Sequence, residues 1–214
     1  MNHIKFIGKV IGLISAAMLS ACGGLSEENE LALTASIEKT QAEATPTSAV
    51  SQILTDSINL ALNKEATQSS LAYDGNAAYA VDGNTDGTYQ NASVTHTETE
   101  EQPWWQVDLG SIEYISHINI FNRTDSCCTS RLSDFYVLVS NAPINSTDLN
   151  ENLNQDNITS YYFGPAVDGS IALNIELTGR YVRVQLVSPD ESLSLAEVEV
   201  MSEMEITSIE SNDE

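Results

Sequence analysis

Residues 58–201 predict an all-β domain, a β-sandwich of about 140 residues. Three observations carry that expectation. Apolar and polar residues alternate: Trp105, Val107 and Leu109 interleave with Trp104, Gln106 and Asp108, and Ile118 and Ile120 interleave with His117 and Asn119. Phe135 to Val139 and Tyr181 to Val187 are β-branched or aromatic runs bounded by Gly, Pro, Asn or Asp. No 12-residue amphipathic period competes with them, and Asp82-Gly83, Asp86-Gly87, Asp168-Gly169 and Thr178-Gly179 read as turns between short strands.

From the N-terminus, Lys5 and Lys9 precede an apolar stretch, Val10 to Ala21, that is shorter than the roughly 20 residues a membrane span requires. It ends in Leu19-Ser20-Ala21-Cys22, followed by Gly23-Gly24, which resembles the lipobox of a bacterial lipoprotein. Residues 1–21 are therefore expected to be a signal peptide and Cys22 a lipidated first residue. A multiply acylated cysteine anchors a protein stably to a membrane. The absence of an acidic residue directly after Cys22 points to the outer membrane. Residues 22–57, rich in Ser, Thr, Ala and Glu without a sustained apolar period, read as a flexible acidic tether. Residues 202–214, with five acids and no cation, read as a solvated acidic tail.

Eight Lys and Arg against 31 Asp and Glu give the chain a formal charge of -23. Such a surface repels nucleic acid and anionic lipid. Neither GxSxG nor HExxH occurs, which argues against an enzyme, although a glycosidase built on two carboxylates is not excluded by motif in so acidic a chain.

Two clusters carry candidate chemistry. The loop Asp82-Gly83-Asn84-Thr85-Asp86-Gly87 offers oxygens at alternate positions, as a hard cation such as calcium requires. It matches the first half of an EF-hand loop, but Ser93 stands where that loop needs a bidentate Glu; the plain alternative is an Asp-Gly turn. The second cluster runs from Arg123 through Asp125, Cys127 and Cys128 to Arg131. Arg forks suit multiple hydrogen bonds to hydroxyl and ring oxygens, and the alternative is an exposed Arg–Asp pair. Adjacent cysteines without a CxxC or a nearby His fit a vicinal disulfide better than a metal site in an exported chain.

Asn59 to Ser70, Ala80 to Asn84, Pro103 to Gly110, Arg123 to Arg131 and Gly179 to Val184 together resemble an F-type lectin (fucolectin) domain, a branch of the discoidin-like, galactose-binding-domain-like jelly-roll sandwiches. The Pro-Trp-Trp strand belongs to the wider group, whereas His96 with Arg-x-Asp, the Cys pair and the second Arg is the fucose-binding signature. The resemblance implies that His96, Arg123 and Arg131 bond α-L-fucose, with Tyr89 and a Cys127–Cys128 disulfide against its apolar edge. It further implies a structural Ca2+ held at Tyr79, Asp82, Asn84, Ser93, Ala196 and Glu197. The expected function is a calcium-stabilised, lipid-anchored lectin for fucosylated glycans and not an enzyme. The alternative is a discoidin-like adhesion module without fucose specificity. Ser126 is an addition to the shortest form of the pattern and sets Arg131 eight residues after Arg123.

Overall fold

A computed structural model describes residues 52–208; the expected signal peptide, Cys22, most of the expected tether and residues 209–214 lie outside it. The seven strands among the described residues are, in chain order, β1 (Gln52–Asn59), β2 (Glu65–Gln68), β3 (Trp104–Asn122), β4 (Phe135–Ser140), β5 (Ile158–Phe163), β6 (Ser170–Leu186) and β7 (Leu195–Ser208). The single α-helix among the described residues, α1 (Leu149–Leu153), is capped by Asp148, whose side chain accepts from the Asn150 and Glu151 amides. The strands pair antiparallel in the order β1-β7-β3-β6-β4-β5, with β2 on the free edge of the first arm of β3.

Nineteen-residue β3 gives the fold its two layers. Its first arm pairs with the end of β6, Trp105 opposite Val184, while its second arm pairs with the start of β6 and with β7, Ile120 opposite Ile171 and Val198. Between them the ladder slips from Asp108 to Glu113, at Gly110 with φ 88°. A second slip follows between Ile115 and His117. There the added residue lies on β6: Ile175 and Glu176, the latter at φ 52°, stand against the single Ser116 of β3, whose hydroxyl donates to the Met201 carbonyl at 2.8 Å. One extra residue inverts the facing of all that follow. The buried set accordingly passes from odd positions (Trp105, Val107, Leu109, Ile115) to even ones (Ile118, Ile120) with no break in the core. Phe135, Val137, Val182, Val184, Leu195 and Val198 complete that core.

Two sequence expectations are corrected. Thr178-Gly179 is not a turn: Gly179 lies within β6 opposite Glu113, where a Cβ would collide with Val139 Cγ1, so the glycine serves close packing between strands. The domain also extends beyond 58–201. Gln52 pairs with Ser208 and Asn59 with Met201, so residues 52–57 of the expected tether and 202–208 of the expected tail form one continuous ladder.

Candidate functional site

A cavity of about 260 Å³ opens at one end of the sandwich, lined by Tyr73, Tyr89, His96, Arg123, Cys128 and Arg131. Its walls come from separate loops whose backbones are tied together. The His96 segment is strapped to the start of β7 and the residues just before it by Thr95 N to Leu195 O (2.8 Å) and Thr97 N to Leu193 O (3.0 Å). The Tyr73 loop is strapped to His96 through Ala72 N to His96 O and His96 N to Gly75 O, both 2.9 Å. A Cβ at Gly75 would strike the His96 backbone, so this approach needs glycine. Gly87 plays the same part for the next loop: its carbonyl accepts from Thr124 N at 2.8 Å, and a Cβ would meet Asn122 O and the Thr124 side chain.

Arg123 follows directly on β3 and is buried. Its Nε donates to Asp125 Oδ2 at 2.7 Å, and its guanidinium lies 4.6 Å from the Tyr89 ring centroid. Asp125 Oδ2 also accepts from Tyr89 N at 3.0 Å, so one carboxylate oxygen fixes both the cation and the aromatic wall. With Nε committed, the terminal amino groups of Arg123 remain for a ligand; the Cys127 Sγ lies 3.9 Å from Nη2. Arg131 is only partly buried and pairs through Nε with Glu191 Oε1 at 3.2 Å.

His96 is buried, and its Nδ1 lies 2.6 Å from the Thr97 carbonyl, which can only accept. Nδ1 therefore carries the proton and Nε2 the lone pair of a neutral ring. Burial holds this imidazole below the ordinary histidine range; the Thr97 carbonyl opposes that, and the Arg123 and Arg131 cations reinforce it. The Tyr73 and Tyr89 rings stand edge-on to His96, with centroids 5.2 and 6.0 Å away, and the Tyr89 hydroxyl donates to Tyr73 O at 2.6 Å. The result is a shallow pocket with guanidinium donors, one imidazole acceptor and aromatic and sulfur edges.

Cys127 and Cys128 are joined in a disulfide, S–S 2.08 Å. Cys128 lines the pocket, while Cys127 is exposed beside it. The additional Ser126 is absorbed in an exposed turn closed by Cys128 N to Asp125 O (3.1 Å), which leaves Arg131 in the pocket wall. Tyr73 is the lining residue that sequence reasoning missed. It is 75% exposed and left-handed at φ 49°, as is Asp74 at φ 60°. Its one sequence signal was an aromatic followed by the turn residues Asp74-Gly75-Asn76.

The residues expected at the cation lie together at a different place. Tyr79 is on the 3-10 turn Ala77–Val81, which ends at Asp82, while Ala196 and Glu197 begin β7. The alternating side chains first serve their own loop: Asp82 Oδ1 accepts from Asn84 N (2.8 Å), Asn84 Oδ1 from Asp86 N (3.1 Å) and Asp86 Oδ1 from Thr88 N (2.9 Å). Ser93, fully buried, donates to Asp86 O at 2.5 Å. Glu197 is also fully buried; its Oε1 accepts from Gly83 N at 3.1 Å, and its Oε2 has no partner among the described residues. Burial pushes the Glu197 carboxyl up to about 7, the neighbouring Asp82 and Glu199 carboxylates adding to the effect. An unpaired buried carboxylate oxygen beside a second carboxylate fits a hard cation. Among the described residues no three His, Cys, Asp or Glu side chains converge, so an ion here would draw on carbonyl, Asn and Ser oxygens as well, as calcium does.

Residues 79–184 match the family model of the NedA-like, galactose-binding domain. The chain is 35% identical over 147 residues to Fucolectin-5 of Anguilla japonica, a match covering 66% of this chain and 75% of that protein. Among solved structures it resembles the lectin domain of lectinolysin complexed with Lewis B antigen, at 39% identity and a TM-score of 0.59, over 67% of this chain and 95% of that one. It likewise resembles a fucose binding module of Streptococcus pneumoniae, at 36% identity and a TM-score of 0.59, over 67% and 94% of the two chains.

Proposed function

The chain belongs to the F-type lectin (fucolectin) family, and from that premise we propose that the pocket at its loop end binds terminal α-L-fucose on glycans. The observation that carries this reading is the convergence of His96, from the segment before β3, with Arg123 and Arg131, from the two ends of the β3–β4 connection, onto one pocket. The terminal amino groups of Arg123 and those of Arg131 donate to neighbouring sugar oxygens, while the His96 Nε2 lone pair accepts from a hydroxyl. Tyr89 and the Cys128 sulfur give the apolar edge for the methyl group that distinguishes fucose from sugars hydroxylated at C6. None of the six lining residues is Asp or Glu, so the pocket lacks the carboxylate pair of a glycosidase and is read as a recognition site without catalysis.

Calcium is proposed as a structural ion held by Asp82, Asn84, Ser93 and Glu197 with carbonyls of Tyr79 and Ala196. It would fix the loop that runs on to Tyr89 without touching the sugar. The lipid anchor at Cys22, an outer-membrane location and the tether before Gln52 belong to the same proposal; they rest on the sequence.

Titration of the purified protein with methyl α-L-fucoside and with galactose tests the reading. The dissociation constant for a monosaccharide in so shallow a site should lie on the order of micromolar to millimolar. Arg123→Ala should lose at least about tenfold, the effect of removing a charged donor. Equal binding of the two sugars, or unchanged fucoside affinity in the folded variant, leaves the adhesion module without sugar specificity as the better account.

A further inference from the structure

Strand β2 ends at Gln68, which pairs with Trp105 on β3. Its side-chain amide reaches the pocket loops. Gln68 Nε2 lies 2.6 Å from Ser70 O and 3.1 Å from both Gly75 O and His96 O, so two protons are shared among three carbonyls. Gly75 O and His96 O are the acceptors that already strap the Tyr73 loop to the His96 segment, through His96 N and Ala72 N. One amide thus clamps β2, the Tyr73 loop and the His96 segment at a single point. The reversed amide would set an oxygen against three oxygens, so these acceptors fix its orientation. That orientation leaves Gln68 Oε1 buried without a partner among the described residues.

The next two residues reach the other wall. The Ser69 and Ser70 hydroxyls both donate to Glu100 Oε1 at 2.5 Å. The Glu100 backbone pairs with that of Glu191, Glu100 N to Glu191 O at 3.0 Å and Glu191 N to Glu100 O at 3.2 Å. Glu191 in turn holds Arg131 Nε with the same carboxylate oxygen that accepts from Ser192 N at 2.9 Å. Three consecutive residues therefore stand behind Tyr73 and His96 on one side and Arg131 on the other, and none of the three lines the pocket.

On the fucose reading of that pocket, we propose that Gln68-Ser69-Ser70 is its positioning element: Gln68 sets the wall of His96 and Tyr73, and the two serines set Arg131 through Glu100 and Glu191. All three act through other residues and touch no sugar. Loss of the Gln68 amide should cost the fold little, because Gly75 O and His96 O keep their backbone donors and the unpaired Oε1 disappears with it. The pocket loses more. His96 and Tyr73 are no longer held in the binding arrangement, and ordering them anew opposes association.

The test combines calorimetric titration with methyl α-L-fucoside and amide hydrogen exchange of the sugar-free protein, both on the full chain. Gln68→Met keeps the length of the side chain and removes its donors. It should melt within about 4 °C of the wild type. The Ala72 and His96 amides should exchange about tenfold faster. Fucoside should bind about three- to tenfold more weakly, the effect of ordering one or two side chains on binding. The double variant Ser69→Ala, Ser70→Ala should show a loss of about the same size, with faster exchange at the Glu100 and Glu191 amides instead. Gly179→Ala, destabilised away from the pocket, is the control and should keep its fucoside affinity. Should Gln68→Met not fold, Gln68→Asn, which draws the amide back by one methylene, is read in the same way. If the wild type does not bind the fucoside, the fucose reading falls and the positioning role with it. Fucoside binding that is unchanged in the Gln68 variant, or wild-type exchange at Ala72 and His96, overturns the Gln68 clamp alone. Unchanged binding in the serine variant overturns the arm to Arg131. A loss of affinity that Gly179→Ala shares overturns both arms, since it traces to the stability of the sandwich.

Discussion

Asp125 should govern sugar affinity without touching sugar. Its Oδ2 holds Arg123 Nε at 2.7 Å and Tyr89 N at 3.0 Å, so it sets both the donor fork and the aromatic edge. Asp125→Asn keeps the shape and, with its amide oxygen in the Oδ2 position, both contacts, but it removes the negative charge that pairs with Arg123 and strengthens the bond from Tyr89 N. Hydrogen bonds to charged groups contribute about 1.5–3 kcal/mol and neutral ones about 0.5–1.5, so the substitution should cost about 1–2 kcal/mol of positioning. That corresponds to roughly a five- to thirtyfold weaker affinity. Titration with methyl α-L-fucoside measures it, and a thermal melt separates it from unfolding. Because the effect runs largely through Arg123, the double variant Arg123→Ala, Asp125→Asn should bind about as weakly as Arg123→Ala alone. Unchanged affinity in Asp125→Asn, or losses that simply add in the double variant, would refute the reasoning.

Calcium in excess should raise the melting temperature and a chelator lower it; at a hundredfold excess over its dissociation constant the ion contributes about 2.7 kcal/mol. Glu197→Gln should abolish most of that response, and a calcium-independent melt in the wild type would count against the ion. Gly179→Ala should destabilise the domain by about 1–3 kcal/mol through overpacking against Val139, read as a lower denaturant midpoint with fucoside affinity retained in the folded fraction. A wild-type midpoint would mean that β6 and β4 can part at no cost.

The β-strands and the pocket were legible in the sequence for a common reason: each depends on side-chain type at short range. Alternation marked Trp105, Val107 and Leu109 because that arm of β3 is regular, and the Arg123–Arg131 cluster stood out because cations are scarce in this chain. What escaped depends on pairing partners remote in sequence. The bulge opposite Ser116, where burial passes from Ile115 to Ile118, is defined only by the pairing with β6, Ile115 against Leu177 and His117 against Asn174. Gly179 resembles a turn residue until Val139 is set against it. The acidic composition of residues 202–208 reads as solvated tail, and only their register against residues 52–58 makes them a strand.

The two oxygen-bearing loops show where that limit falls for function. From Asp82 to Asp86 the alternating acids and amide are what a cation needs and also what three successive backbone turns need, so spacing alone cannot distinguish the two uses. What favours the proposed cation is Glu197, 115 positions beyond Asp82, buried with an oxygen that no group among the described residues satisfies. For the sugar pocket the reverse holds. His96 was one histidine among several polar residues until the strap to residues 193–195 set its ring between Tyr73 and Tyr89, facing Arg123 and Arg131. Its Nδ1 is spent on the Thr97 carbonyl of its own neighbour, and that local bond decides which ring nitrogen remains for a ligand. A lectin site of this kind is thus specified twice, by residue types that a short motif can carry and by backbone straps that only the closed sandwich supplies.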